Sequence, residues 1–253
     1  MISLYQSPKY YDLAFSYRDV PAEVGVLEQC MRRFCALPVR SVAEWACGQA
    51  PYAAEIMNRG YAYTGLDLNP VMLEYARSRL TRGKAAWHLV EGNMIRFQLP
   101  EPVDFAYVLL ASLYAQSTQE LQSHYNSVAM ALRPGGLYVL EWCVEFDPLT
   151  DVAESWEVEG DGISILATYY TRWQNHVEQI LEETIRLDVS EDGQEFTIED
   201  TFTRRVIFPQ EFLEFIRNHT EFEFLGWWNN WDLDEPVDGL NPVSRPIVVL
   251  RRR

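Results

Sequence analysis

A short apolar segment, Ser41-Val-Ala-Glu-Trp45, runs into the small-residue stretch Ala46-Cys-Gly-Gln-Ala50, and Tyr63-Thr-Gly-Leu-Asp-Leu-Asn-Pro70 follows. The pattern reads as a buried strand, a tight turn, a helix, a second strand and an acid at that strand's end. In an open α/β sheet, ligands sit in the crevice past the carboxyl ends of the strands, and this pattern lines such a crevice. The turn must let backbone approach a ligand, so it needs small residues, here Ala46, Gly48 and Ala50. Asp67 can accept two hydrogen bonds from a ribose diol.

A dinucleotide site asks for G-x-G-x-x-G, because pyrophosphate lies on a bare helix N-terminus. Aligned from Ala46, this chain offers A-C-G-Q-A-P, with one of the three glycines present. Pro51 removes an N–H that could have bound phosphate. Both departures count against NAD or FAD.

Strands are expected over residues 41–46, 62–67, 85–91, 105–111 and 137–142, with helices between them. Asn69 can cap one helix, with Pro70 in its first turn. Ser117-Thr-Gln-Glu120 is a capping box, and Leu121, Tyr125, Val128 and Leu132 follow on one face. After Trp142 the period changes to two. Three alternating runs between about 160 and 208 predict an antiparallel meander. An amphipathic helix from Pro209 and two strands, 222–228 and 246–251, complete the chain. The expected fold is α/β: a doubly wound, mostly parallel, seven-stranded sheet with a β-meander inserted after strand 5. The expected parts are a helical cap over 1–40, a core of 41–143 and 209–253, and an insertion over 144–208.

The order of motifs resembles that of class I S-adenosylmethionine-dependent methyltransferases. Glu44 stands at the acid position of their first motif, and Ala46, Gly48 and Ala50 at its glycine positions. Leu66 to Arg77 is similar to their second strand and following helix. Glu91-Gly-Asn-Met94 is similar to the loop after the third strand, and Arg133-Pro-Gly-Gly136 to the turn before the fifth. The resemblance implies a Rossmann-like methyltransferase fold and S-adenosylmethionine as cofactor. It implies a cofactor set of Tyr11, Arg18, Glu44, Ala46, Cys47, Gly48, Ala50, Asp67, Leu68, Met72, Asn93, Met94 and Leu109. An N-terminal Tyr-Asp pair, a strand-4 ending like Leu110-Ala-Ser-Leu113, and Glu141-Trp142 resemble the branch of amino-sugar and glycine N-methyltransferases. In that branch an insertion also follows strand 5, so residues 144–208 read as a substrate lid or a homodimer face. Tyr114, Glu141 and Trp142 are the candidate acceptor residues.

Methyl transfer from a sulfonium is an in-line displacement that rests largely on alignment and desolvation. A free amine can attack directly, whereas a hydroxyl more often needs a base. No catalytic base is assigned. His124 reads as an exposed helix residue and His176 as a turn residue. The reading that follows is transfer to a small-molecule acceptor, by preference an amine nitrogen. The alternative is an S-adenosylmethionine-binding protein without transfer activity.

The formal net charge of −16 argues against a nucleic-acid partner, which needs a basic face. The weakly charged stretch Phe105 to Ser117 is 13 residues, too short to span a bilayer. Cys30, Cys35, Cys47 and Cys143 form no C-x-x-C pair, and no metal spacing appears. The expectation is a cytoplasmic protein with neither metal nor membrane contact.

Overall fold

The computed structural model describes residues 3–80, 85–146 and 151–253. In chain order the elements are α1 (Pro8–Ala14), α2 (Val20–Phe34), β1 (Ser41–Trp45), α3 (Ala53–Asn58), β2 (Ala62–Asp67) and α4 (Pro70–Arg79). There follow β3 (Trp87–Glu91), β4 (Val103–Val108), α5 (Thr118–Ala131), β5 (Leu132–Glu141), β6 (Ala153–Gly160) and β7 (Ile163–Asn175). The last are β8 (Ile180–Glu191), β9 (Gln194–Arg205), α6 (Pro209–His219), β10 (Phe222–Trp228) and β11 (Ile247–Arg252). They form two units. Met1–Asp19 joins Pro148–Arg205, and Val20–Asp147 joins Val206–Arg253.

The larger unit holds a seven-stranded sheet in the order β10-β11-β5-β4-β1-β2-β3. Strands β1 to β5 pair in parallel, and β11 pairs antiparallel with both β5 and β10. Successive side chains of a strand point to opposite faces, and both faces here are apolar. Phe105, Tyr107, Leu137, Val139 and Ile247 pack with α2, α3 and α4. Ala106, Val108, Tyr138, Leu140 and Val248 pack with α5 and α6. The sheet is doubly wound, as the alternation of strands and helices predicts. The helix signals also hold. Asn69 accepts from the Val71 and Met72 N–H groups, and Ser117 Oγ from the Glu120 N–H at 3.2 Å. The capping box closes one residue early: Glu120 accepts from the Gln116 N–H rather than from Ser117.

The amino edge of the sheet is tied by one carboxylate. Asp104 Oδ2, buried at the start of β4, accepts from the Arg40 N–H (2.8 Å), the Ser41 N–H (3.0 Å) and Ser41 Oγ (3.0 Å), and Arg133 pairs with Oδ1. The Arg133–Gly136 segment belongs to the first half of β5. Gly136 is required there, because a Cβ would lie 2.6 Å from the Asp104 carbonyl oxygen.

The smaller unit is an antiparallel sheet in the order β6-β7-β8-β9. It has four strands where three are expected from the sequence. The additional strand, β6, is an edge strand that turns only Trp156 and Val158 toward the apolar cluster and carries Glu154, Glu157 and Glu159. So few apolar positions leave no period-two signal. Leu4, Ala14, Ile165, Leu187 and Ile198 are buried in this unit's core. The Leu4 N–H and Ser3 Oγ both donate to Asp200 Oδ2 at 2.7 Å. Residues 3–14 are thus built into the meander's unit, while α2 belongs to the larger one. Of the expected insertion, residues 147–150 lie outside the described residues.

Burial works against the Asp104 carboxylate, but the Arg40 and Ser41 N–H groups, Arg133 and the Ser41 hydroxyl outweigh it and hold its pKa below the usual carboxylate value. Its stabilising contribution is therefore full above the ordinary aspartate range and is lost as pH falls through the lowered pKa. Asp104→Asn is expected to cost about 1–3 kcal/mol at pH 7. The difference from wild type should shrink on acidification, as read by urea unfolding at several pH values.

Candidate functional site at the carboxyl edge

The turn after β1 is left-handed at alternate positions: Ala46 at φ 55°, Gly48 at 52° and Ala50 at 54°. Of its N–H groups, that of Cys47 donates to the Leu66 carbonyl at 3.1 Å and that of Ala50 to the Cys47 carbonyl at 2.7 Å. Here the Gly48 N–H donates to Asp67 Oδ2 at 2.7 Å, and the Asn69 N–H to Oδ1 at 2.8 Å. Burial raises the Asp67 pKa, against the Asn69, Gly48 and Leu68 N–H groups. A left-handed L-residue costs roughly 1–2 kcal/mol, so two alanines there carry strain that the fold must hold. The Ala50 methyl is buried in the α2–α3 core. A Cβ on Gly48 would come 3.4 Å from Met72 Cε.

The remaining cofactor candidates follow the order of the strands. After β3, Asn93 is exposed, and its side chain accepts from the Ile95 N–H at 2.8 Å. Met94 and Met72 are buried, and Leu68 is 66% exposed just past Asp67. Leu109 follows β4 and is buried. Cys47 packs its thiol where a Cβ on Gly65 would sit, and burial raises its pKa well above the ordinary thiol value. It therefore offers the turn only its backbone.

Glu44 stands where the alternation calls for an apolar residue. It is 4% exposed, and Oε2 accepts from the Tyr63 hydroxyl (2.5 Å) and the Tyr107 hydroxyl (3.0 Å). Its carboxylate braces the turn from within the core. Glu141, fully buried, is held more tightly still. Oε1 accepts from Arg245 Nε (2.6 Å) and Trp231 Nε1 (2.5 Å), and Oε2 from the Leu110 N–H (2.9 Å). Arg245 Nη2 also donates to Glu23 Oε1 at 2.7 Å, and the Tyr52 hydroxyl donates to Glu23 Oε2. The guanidinium lies 4.9 Å from the Trp231 ring centroid and 5.7 Å from that of Trp142. Glu23, Tyr52, Trp231 and Arg245 have no local sequence motif, and sequence reasoning misses them. Leu110, Ala111, Trp142, Asn230 and Trp231 are also left-handed, and strain of this kind gathers where a fold over-determines its backbone.

Tyr114 is half-buried beyond β4. Tyr11 and Arg18 belong to the smaller unit, where the Tyr11 ring packs 4.6 Å from Phe15 and 5.7 Å from Tyr5. His124 is not exposed, contrary to the sequence expectation. It is on α5 and fully buried, with Nδ1 2.8 Å from the Met94 carbonyl and Nε2 2.8 Å from the Tyr138 hydroxyl. An otherwise polar helix start hides this inward position. His176 is in a turn, as expected, stacked on Trp173.

Residues 42–136, which carry the turn, Asp67, Asn93 and the end of β4, match the family described as a methyltransferase domain. Over these residues the chain is similar to that family. A curated relative, a malonyl-[acyl-carrier protein] O-methyltransferase of Serratia marcescens, is 27% identical over 125 residues, 49% of this chain and 46% of that protein. The chain thus spans about half the length of that relative. Two solved structures are similar over nearly the whole chain. An S-adenosylmethionine-dependent methyltransferase from Clostridium acetobutylicum has a TM-score of 0.76 at 12% identity, covering 96% of each chain. CalS10 from Micromonospora echinaspora, an amino pentose methyltransferase solved with S-adenosylmethionine bound, has a TM-score of 0.72 at 19% identity, covering 100% of this chain and 98% of its own. The fold is that of S-adenosylmethionine-dependent methyltransferases. Among the described residues, no helix is long and apolar enough to cross a membrane.

Burial pushes the His124 imidazole down from 6.5 to about 4, against the Met94 carbonyl. The neutral ring is favoured in the fold. The stability it confers is full above 6.5 and is lost as pH falls toward 4. A depression of this size corresponds to about 3 kcal/mol. Between pH 7 and 4 the wild-type domain should lose about that much more unfolding free energy than His124→Gln. Parallel profiles for the two proteins would refute this.

Proposed function

We propose that this chain is an S-adenosylmethionine-dependent methyltransferase that acts on a small-molecule acceptor, at an amine nitrogen. The observation that carries the reading is the left-handed turn Ala46–Ala50 closed on the Asp67 carboxylate. The residue set fits the cofactor: the small-residue turn for its aminocarboxypropyl end, Asp67 for the ribose diol, and Asn93, Met94 and Leu68 for adenine. Because the sheet runs β3-β2-β1-β4-β5, these stations lie in line: adenine beyond β3, ribose beyond β2, the methionine end beyond β1 and β4. The acceptor then falls beyond β4 and β5, near Tyr114 and Trp142. Glu141 acts there as a brace, since its carboxylate is already committed to Arg245, Trp231 and Leu110.

When bound, the cofactor supplies an electrophilic methyl group and its own leaving group. The protein's part is to align the acceptor and exclude water. His124, bonded at both ring nitrogens inside the core, is engaged structurally. An amine acceptor attacks through its own lone pair and asks for no base. The resemblance to an amino pentose methyltransferase supports the same choice.

Calorimetry with S-adenosylmethionine, followed by a labelled-methyl assay across amines, amino sugars and hydroxylated analogues, tests the reading. Binding with transfer to an amine is expected. Absence of binding at millimolar cofactor would refute it, and binding without transfer to any acceptor would favour a cofactor-binding protein. Asp67→Ala should weaken cofactor binding by about 1–3 kcal/mol, through lost charge-assisted ribose bonds and a loosened Gly48 N–H. Wild-type affinity should rise as pH climbs through the raised Asp67 pKa, because the ionised carboxylate is the acceptor form. A pH-independent affinity would count against Asp67.

A further inference from the structure

Arg245 is the hub of a hydrogen-bonded chain that nothing in the proposed reaction uses directly. On one side its Nη2 reaches Glu23 on α2, whose second oxygen takes the hydroxyl of Tyr52. Tyr52 immediately precedes α3, two residues past the left-handed turn, and its ring packs 5.9 Å from that of Tyr107. On the other side Arg245 Nε reaches Glu141, which fixes the Leu110 N–H at the end of β4 and the Trp231 indole. Glu23 is 5% exposed and Glu141 fully buried. Two neighbouring carboxylates out of water are costly unless paired and hydrogen-bonded, and a forked guanidinium can serve both at once. The rings of Trp142 and Trp231 hold its plane.

We propose that Arg245 is a positioning residue. It sets the left-handed turn at the methionine end of the cofactor and the β4 and β5 ends at the acceptor as one piece. The inference rests on the cofactor layout proposed above. Its distinctive consequence is long-range coupling. Tyr52 and Arg245 both bond Glu23, and both act on the same end of the cofactor. Removing either should release the same restraint, so the two losses should not add.

The test is a double-mutant cycle on the intact chain with Arg245→Met and Tyr52→Phe, read as dissociation constants by calorimetry. One probe is S-adenosylmethionine. The other is 5′-methylthioadenosine, which keeps adenine, ribose and sulfur but lacks the amino-acid end. For S-adenosylmethionine, Arg245→Met should weaken binding about tenfold and Tyr52→Phe about threefold, and the double variant should be no weaker than Arg245→Met alone. For methylthioadenosine all three should stay within about twofold of wild type. Additive losses, or equal losses for both probes, would overturn the proposal, the second pointing to general damage to the fold. Should Arg245→Met not fold, Arg245→Lys takes its place in the cycle. Lysine keeps the charge but cannot fork, and an affinity for S-adenosylmethionine equal to wild type would again overturn the proposal. A folded wild type that binds neither probe overturns the cofactor reading itself, and this inference with it.

Discussion

The bond from the Gly48 N–H to Asp67 is the constraint on which the carboxyl edge depends. It joins the turn after β1 to the end of β2, so neither can shift alone. It also selects the backbone of the turn. The turn it closes is left-handed at alternate positions, and two alanines accept that geometry at a cost. The surrounding packing must hold them there. The Ala50 methyl in the α2–α3 core, Met72 over Gly48 and the Cys47 thiol over Gly65 are the contacts that do so.

The two edges of the large sheet answer different demands. At the amino edge, Asp104 gathers three donors from residues 40 and 41 and one from Arg133 into a closed knot. At the carboxyl edge, the carboxylates of Glu44, Glu141 and Glu23 are buried among phenols, indoles and one guanidinium, and left-handed residues recur. The first edge is arranged for stability. The second stores strain and buried charge where a ligand would come.

The sheet was legible because its signals are local. Strand alternation, the Asn69 and Ser117 caps and the Pro209 start need only a few neighbouring residues to be read. The turn and Asp67 were legible for the same reason. The Glu23–Arg245–Glu141 system was not. Its members are separated by more than a hundred residues; Glu141 is marked in sequence only as a candidate acceptor residue, and Arg245 looks like an ordinary surface charge. His124 misled because one buried histidine among polar neighbours leaves the helical pattern intact. Strand β6 was missed since two inward side chains do not make a period.

The smaller unit joins residues far apart in the chain. Ser3 and Leu4 are fastened to Asp200 across 197 and 196 positions. During synthesis, Leu4 and Ala14 must wait, unburied, until β9 has left the ribosome, long after β1 to β5 could have paired. Closing so long a loop costs entropy, though only logarithmically in its length. The consequence is an assembly order in which β1 to β5 can pair before residues 3–14 are captured. A tyrosine-rich segment is thereby left exposed until β9 is made, and it is a part of this chain that a holdase would find.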